Sequence, residues 1–131
     1  MRARRIRNTR KNEKGQSLVE FALVVPLLLL LVIGIFEFGR AWMTQNILTG
    51  AAREAVRILA VPTGSTAAAW DRADNVLRSA GIATANIDVR DAASYQPVSV
   101  IVTYNFPVLT GLIPGLDNIL LSSTTTMRRE F

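Results

Sequence analysis

The sixteen-residue stretch Phe21-Ala-Leu-Val-Val-Pro-Leu-Leu-Leu-Leu-Leu-Val-Ile-Gly-Ile-Phe36 decides the fold, because it contains no charged residue. Counted from Ser17, the run is long enough as a helix to cross about 30 Å of hydrocarbon. A buried core helix would show a polar stripe, and this run has none. A cleaved secretory signal would end in small residues, whereas Glu37-Phe38-Gly39-Arg40 follows here. The stretch therefore predicts a transmembrane helix, which we place at residues 16–40.

The residues before the span are strongly basic. The chain has a net charge of +5, and seven of its 15 basic residues lie in the first 14 positions, where Glu13 is the only acid. Cationic residues concentrate on the cytoplasmic side of membrane helices, so we expect residues 1–15 to be a cytoplasmic leader in contact with anionic lipid. A short arm without a fold of its own or aromatic residues is poorly suited to recognising nucleic acid, and no nucleic-acid partner is expected. The basic leader residues are Arg2, Arg4, Arg5, Arg7, Arg10, Lys11 and Lys14.

Residues after the span predict a small α+β domain at 41–131, outside the cytoplasm. Arg40 and Trp42 are the expected anchors at the membrane–water boundary. The transmembrane helix, begun near Ser17, should continue as a stalk over 41–61. Its apolar residues recur at steps of three and four and should form one buried stripe. The stripe consists of Leu48, Ala51, Ala52, Ala55, Val56 and Leu59.

A second helix is expected at 66–80, with Ser65 as its N-cap and Gly81 after its end. Its apolar face should consist of Ala69, Trp70, Ala73, Val76, Leu77 and Ala80. The period then changes to two, which predicts antiparallel strands near 86–90, 98–106 and 119–128. The apolar connection 107–116 either folds over the end of the sheet or forms an exposed docking patch.

The chain has few of the side-chain types that usually catalyse reactions or bind metals. It contains no Cys and no His, which removes the usual zinc ligands, thiol nucleophiles and imidazole acid–base groups. Asp88 and Asp91 are two spaced acids that we expect to be solvated rather than to bind metal. We therefore expect neither an enzyme nor a cofactor, a metal site or a small-molecule substrate.

The segment Gly15-Gln16-Ser17-Leu18-Val19-Glu20-Phe21 joins the leader to the span. A basic leader ends in Gly15, an apolar helix follows at once, and Glu20 lies five positions beyond the glycine. Two explanations of Glu20 are open. Ser17 and Glu20 could form a capping box at a helix start, where a carboxylate also gains from the helix dipole. Alternatively, Glu20 belongs to a processing and assembly signal.

This arrangement resembles the prepilin peptidase site of the type IV filament superfamily. The Glu20-Phe21 pair and Pro26 resemble the tight-adherence (Tad) branch, and so do Phe36–Arg40 and the terminal Leu121–Arg128. Major Tad pilins are much shorter and TadG-like relatives much longer, so the chain most resembles a TadE-like minor pilin or pseudopilin.

The resemblance implies cleavage between Gly15 and Gln16, and pairing of Glu20 with the freed amine of a neighbouring subunit. Pro26 would kink the helix or mark a point where it melts in a filament. The implied partners are prepilin peptidase, other pilin or minor pilin subunits, the Tad assembly platform and membrane lipid. A chain that stays uncleaved, and serves only as a membrane-anchored interaction domain, is the alternative function.

Overall fold

The computed structural model describes residues 10–109 and 117–130, with side chains from Gly15 onward. In chain order the elements are helix α1 (Arg10–Ala60), helix α2 (Thr66–Ser79) and strands β1 (Asn86–Arg90), β2 (Pro97–Pro107) and β3 (Asn118–Arg128). The predicted α+β class is confirmed. The chain divides into two compact units, one ending at Phe36 and the other beginning at Glu37.

Helix α1 is 51 residues long and begins earlier than the sequence predicted. The expected start near Ser17 is wrong, because the helix already runs through Gly15 from Arg10. Arg, Lys, Glu and Gln, which precede Ser17, are good helix formers, and a single glycine costs only about 1 kcal/mol. Ser17 and Glu20 therefore lie inside the helix and not in its first turn, so the capping-box explanation of Glu20 is wrong for this form of the chain.

Helix α1 ends at Ala60, one residue before the predicted end of the stalk at 61. In the turn that follows, the Gly64 N–H donates to the carbonyl of Val61 at 3.0 Å. Glycine is required at position 64 because the backbone of Ile58 passes very close to it. A Cβ atom at this position would lie 1.9 Å from the carbonyl oxygen of Ile58.

Helix α2 is capped at both ends as predicted. The Ser65 hydroxyl accepts a hydrogen bond from the Ala68 N–H at 3.1 Å. At the other end Gly81 has φ +80°, and the N–H groups of Gly81 and Ile82 donate to Arg78 and Leu77. This pattern is a Schellman motif, which satisfies carbonyls left open by the last turn.

The buried face of α2 is narrower than predicted. Ala69, Ala73 and Leu77 are fully buried, at steps of four residues. Val76 is half-buried, but Trp70 and Ala80 are exposed, so their assignment to the buried face is wrong. Trp70 is next to Ala69 in sequence and about 100° around the helix, which turns its large ring out of the contact.

The sheet has the order β1-β2-β3, with both pairs antiparallel and β2 in the middle. Val98, Val100, Val102 and Phe106 are buried on one face of β2, as the alternation predicted. The predicted stripe of α1 is fully buried and belongs to the same core as these valines and the buried residues of α2.

Polar contacts join α1 to the edge strand β3. The side-chain amide of Gln45 donates to the Ser122 carbonyl at 2.8 Å, and the hydroxyls of Thr49 and Ser123 lie 3.0 Å apart. After β3, the Glu130 N–H donates to the Ala60 carbonyl at the end of α1. The described part of the apolar connection ends at Leu109, so the two alternatives for 107–116 fall mostly outside the described residues.

Candidate functional site

The apolar part of α1 has no protein cover among the described residues. From Leu18 to Phe36 its large side chains, which include Phe21, Leu23 and Leu29, are mostly exposed. The helix is long and apolar enough to cross a membrane. Leucine and phenylalanine side chains in such a run gain free energy from leaving water, so the exposed surface requires an apolar environment. This feature fits a single-pass membrane protein.

Gly15 and Gln16, the predicted cleavage positions, lie in the helix ahead of this surface. A Cβ atom built at Gly15 would meet nothing within 4 Å, so the peptide bond after it is not covered by packing. Glycine also weakens the helix locally by about 1 kcal/mol relative to alanine. The segment thus combines open surroundings with a low cost of local unwinding.

Glu20 is exposed and has a partner one turn away. The Gln16 side-chain amide donates to the Glu20 carboxylate at 3.2 Å. One neutral amide satisfies only part of a carboxylate, whose two oxygens accept about four hydrogen bonds. In an apolar environment a carboxylate with unfilled acceptor positions is costly, so a cationic partner is favoured for Glu20. The arrangement can therefore accept an ammonium group.

Pro26 lies inside α1, where its ring nitrogen has no hydrogen to donate to the carbonyl of Ala22. The structure thus brings Gly15, Gln16, Glu20 and Pro26 onto one helix. The basic leader residues Arg2, Arg4, Arg5 and Arg7 lie outside the described residues. Arg10, Lys11 and Lys14 fall within α1, but their side chains lie outside them too.

A second cluster lies directly after the apolar run and was not predicted as a site. The Glu37 carboxylate pairs with the Arg40 guanidinium at 2.9 Å and accepts a hydrogen bond from the Leu109 backbone N–H at 3.1 Å. The Arg40 guanidinium lies 4.9 Å from the centre of the Phe106 ring, within range of a cation–π interaction. We name Glu37, Arg40, Phe106 and Leu109 the boundary cluster.

The boundary cluster gives Arg40 protein partners in addition to any lipid contact. Its side chain is mostly buried, as is that of Glu37. Trp42, the other predicted anchor, is exposed, and its ring centre lies 6.0 Å from that of Phe38. From the sequence, Arg40 was expected to be a membrane anchor, and its pairing with Glu37 was not predicted. The i, i+3 spacing of Glu37 and Arg40 was the available signal for their ion pair.

Four acidic residues elsewhere in the described part of the chain pair with arginines. Asp88 contacts Arg90 at 2.9 Å, and Asp91 contacts Arg129 at 2.6 Å, so the two acids are not simply solvated as expected. Within residues 10–109 and 117–130, no group of three or more carboxylates is placed to hold a metal ion.

Comparison with known protein families gives a match that covers most of α1. Residues 15–57 match the family model of TadE-like proteins. Comparisons with curated proteins and with solved structures gave no significant match. The matched range begins at Gly15, includes Glu20 and the Glu37–Arg40 pair, and ends within the buried stripe. The predicted resemblance is thereby confirmed over residues 15–57, which are similar to TadE-like proteins, a family associated with the Tad pilus.

Proposed function

We propose that the chain is a minor pilin or pseudopilin, cut by prepilin peptidase after Gly15, that takes part in assembling a Tad-type pilus or secretion apparatus. It acts by binding other subunits and does not catalyse a reaction. The observation that carries the proposal is the family match at residues 15–57, because it starts at the predicted cleavage position and leaves the basic leader outside.

The geometry of α1 supports this proposal. Gly15 has open surroundings, and Glu20 keeps acceptor capacity beyond its bond with Gln16. Cleavage after Gly15 would place a new amine on Gln16, one helical turn before Glu20. The amine of a neighbouring subunit could then pair with this carboxylate, which would offset the cost of holding it in lipid.

The proposed topology is argued from charge. Basic residues before the span and near neutrality after it support a cytoplasmic N-terminus with the domain outside, and we propose that the span lies in the inner membrane. The partners are prepilin peptidase, other pilin subunits and the assembly platform. Tryptophan favours membrane interfaces, so exposed Trp42 and the outer part of Arg40 contact lipid head groups.

The test is the intact mass and N-terminal sequence of the membrane-extracted protein, co-expressed with its own prepilin peptidase. We expect loss of residues 1–15 and a new terminus at Gln16, both abolished by Gly15→Leu. Gly34→Leu is the matched control, because Gly34 also lies in α1 with nothing within 4 Å of a Cβ atom. An intact leader, with the peptidase active on another pilin, would leave an uncleaved membrane-anchored interaction domain instead.

A further inference from the structure

Arg53 and Arg57 form an exposed basic pair on α1. They are four residues apart, so their side chains share one face of the helix. In the part of the chain that the structure describes with side chains, they are the only arginines whose guanidinium makes neither an ion pair nor a hydrogen bond. Like charges at this spacing repel, and the adjacent acid, Glu54, pairs with Arg72 instead. The basic pair thus carries a local cost that no described group of its own chain offsets.

An exposed acid lies at the same level on α2. The ion pair between Glu54 and Arg72, at 3.3 Å, joins the two helices on either side of a short turn, so α2 runs back alongside α1. Asp71, next to Arg72, is therefore level with the turns of α1 that carry Arg53 and Arg57. Its side chain is exposed and makes no ion pair or hydrogen bond with the described residues.

Trp70 adds an aromatic surface beside Asp71. Its ring is 42% exposed, although Ala69 next to it is fully buried. Indole rings attract guanidinium groups, and tryptophan and arginine are both enriched in protein interfaces. Asp71 and Trp70 together therefore offer a carboxylate and a ring face, the two groups on which arginine binds well. The other described acids of the second unit without an ion pair, Asp117 and Glu130, have no tryptophan beside them in the sequence.

The two surfaces do not meet within one chain. Successive residues are about 100° apart around a helix, so Trp70 is turned about 160° from Arg72. Arg72 reaches α1 through Glu54, and Trp70 consequently faces away from α1 of its own chain. An arginine that lies over this ring must come from another molecule.

We propose that two copies of this chain associate through these surfaces, with Arg53 and Arg57 on α1 of one copy bound to Asp71 and Trp70 on α2 of the other. One guanidinium pairs with the carboxylate, and the other lies over the indole ring. A second copy is favoured because the chain carries both halves of the contact, which are opposite in charge, exposed and without another described partner. The contact specifies one subunit partner for the proposed function, and it does not require cleavage after Gly15.

Disulfide trapping tests the contact without removing any of its charges. The chain has no Cys, so one full-length copy carries Gly50→Cys and a second copy, with a different affinity tag, carries Asn75→Cys. Gly50 lies about one turn before Arg53 and has nothing within 4 Å of a Cβ atom. Asn75 is exposed about one turn after Asp71. Because the helices run in opposite directions, both positions lie on the same side of the proposed contact.

The two copies are co-expressed and oxidised in isolated membranes with copper phenanthroline. The product with twice the chain mass and both tags is quantified on a non-reducing gel. We expect severalfold more of it than when Thr124→Cys replaces Asn75→Cys. Thr124 is exposed and follows the buried Ser123, so it lies on the sheet face away from the core and reports random collisions.

Charge reversal then identifies the residues that make the contact. Arg53→Glu together with Arg57→Glu, in the copy with Gly50→Cys, should lower the yield about tenfold, because like charges would face each other. Asp71→Arg in the copy with Asn75→Cys should restore it. Restoration also requires both reversed chains to be folded, so it separates a lost contact from a lost fold.

Other results would overturn the inference in distinguishable ways. A yield equal to the Thr124→Cys background means that the two copies do not meet at these helices. A yield that charge reversal leaves unchanged means that the helices meet without this pairing. A loss that Asp71→Arg does not restore assigns the arginines to a different partner, such as another subunit or anionic lipid. The intact mass of the same samples reports cleavage after Gly15, so failure of processing is measured separately from failure of the contact.

Discussion

The carboxylate of Glu37 accepts a hydrogen bond from the backbone N–H of Leu109, 72 positions later in the chain, at 3.1 Å. The same carboxylate pairs with Arg40. One acidic side chain thus connects α1 to the segment that follows β2 and neutralises Arg40. No local sequence pattern joins positions so far apart, and the contact was therefore not predicted.

Glu37→Ala should loosen the end of the β2–β3 hairpin. The variant removes a hydrogen bond and the partner of a mostly buried guanidinium, which we expect to cost about 1–2 kcal/mol. Hydrogen exchange of the amides from Tyr104 to Leu109, measured by mass spectrometry in detergent, should become faster. Glu54→Ala is the control, because its pair with Arg72 is exposed and contributes little. Equal effects of the two variants would contradict a special role for Glu37.

Gly64→Ala should destabilise the turn between the two helices. The new methyl group would meet the Ile58 carbonyl oxygen at 1.9 Å, so the backbone must shift, at a cost of about 1–3 kcal/mol. Gly50→Ala is the matched control, because nothing lies within 4 Å of its Cβ and alanine favours a helix by about 0.5–1 kcal/mol. Urea unfolding followed by circular dichroism should give midpoints that move in opposite directions. A shift in the same direction would argue against the close approach.

Ser65→Ala should destabilise α2 by about 1 kcal/mol, because it removes the acceptor for the Ala68 N–H. Ser65→Asp keeps an acceptor and should retain most of the stability. The same urea titration measures both variants. If Ser65→Asp is as unstable as Ser65→Ala, then the cap does not stabilise this helix.

Glu20→Ala should leave membrane insertion unchanged and reduce incorporation into the pilus or secretion assembly. The substitution removes a charge from an apolar helix, which favours insertion, but it also removes the proposed acceptor for a neighbouring amine. Carbonate extraction checks insertion, and co-purification with the assembled subunits checks incorporation. Gln16→Ala keeps the Glu20 carboxylate and removes its hydrogen bond, and its cleavage is checked by intact mass, so it serves as the control. Normal co-purification of Glu20→Ala would count against the assembly role.

Much of the fold could be predicted because it depends on local periodicity. The α1 stripe, the alternation of β2 and the caps of α2 all follow from residue spacing. The start of α1 could not be predicted, because the leader residues before Ser17 are good helix formers and nothing among them breaks the helix. Trp70 was misplaced because apolarity alone does not reveal how wide a buried face is. The candidate site at Gly15 to Glu20 was predicted from its resemblance and stays a prediction, whereas the boundary cluster depends on tertiary contacts.

The order of elements in the core also has a consequence for biosynthesis. The stripe on α1 is synthesised well before β2, which buries its valines in the same core, and β3 follows only afterwards. Until β2 and β3 have emerged and paired, the stripe from Leu48 to Leu59 has no sheet to pack against. Long-range pairing of this kind is slow and leaves apolar surface open to wrong contacts. The newly made chain therefore passes through an interval in which it is exposed to proteases and aggregation, and that interval ends when the last strand joins the sheet.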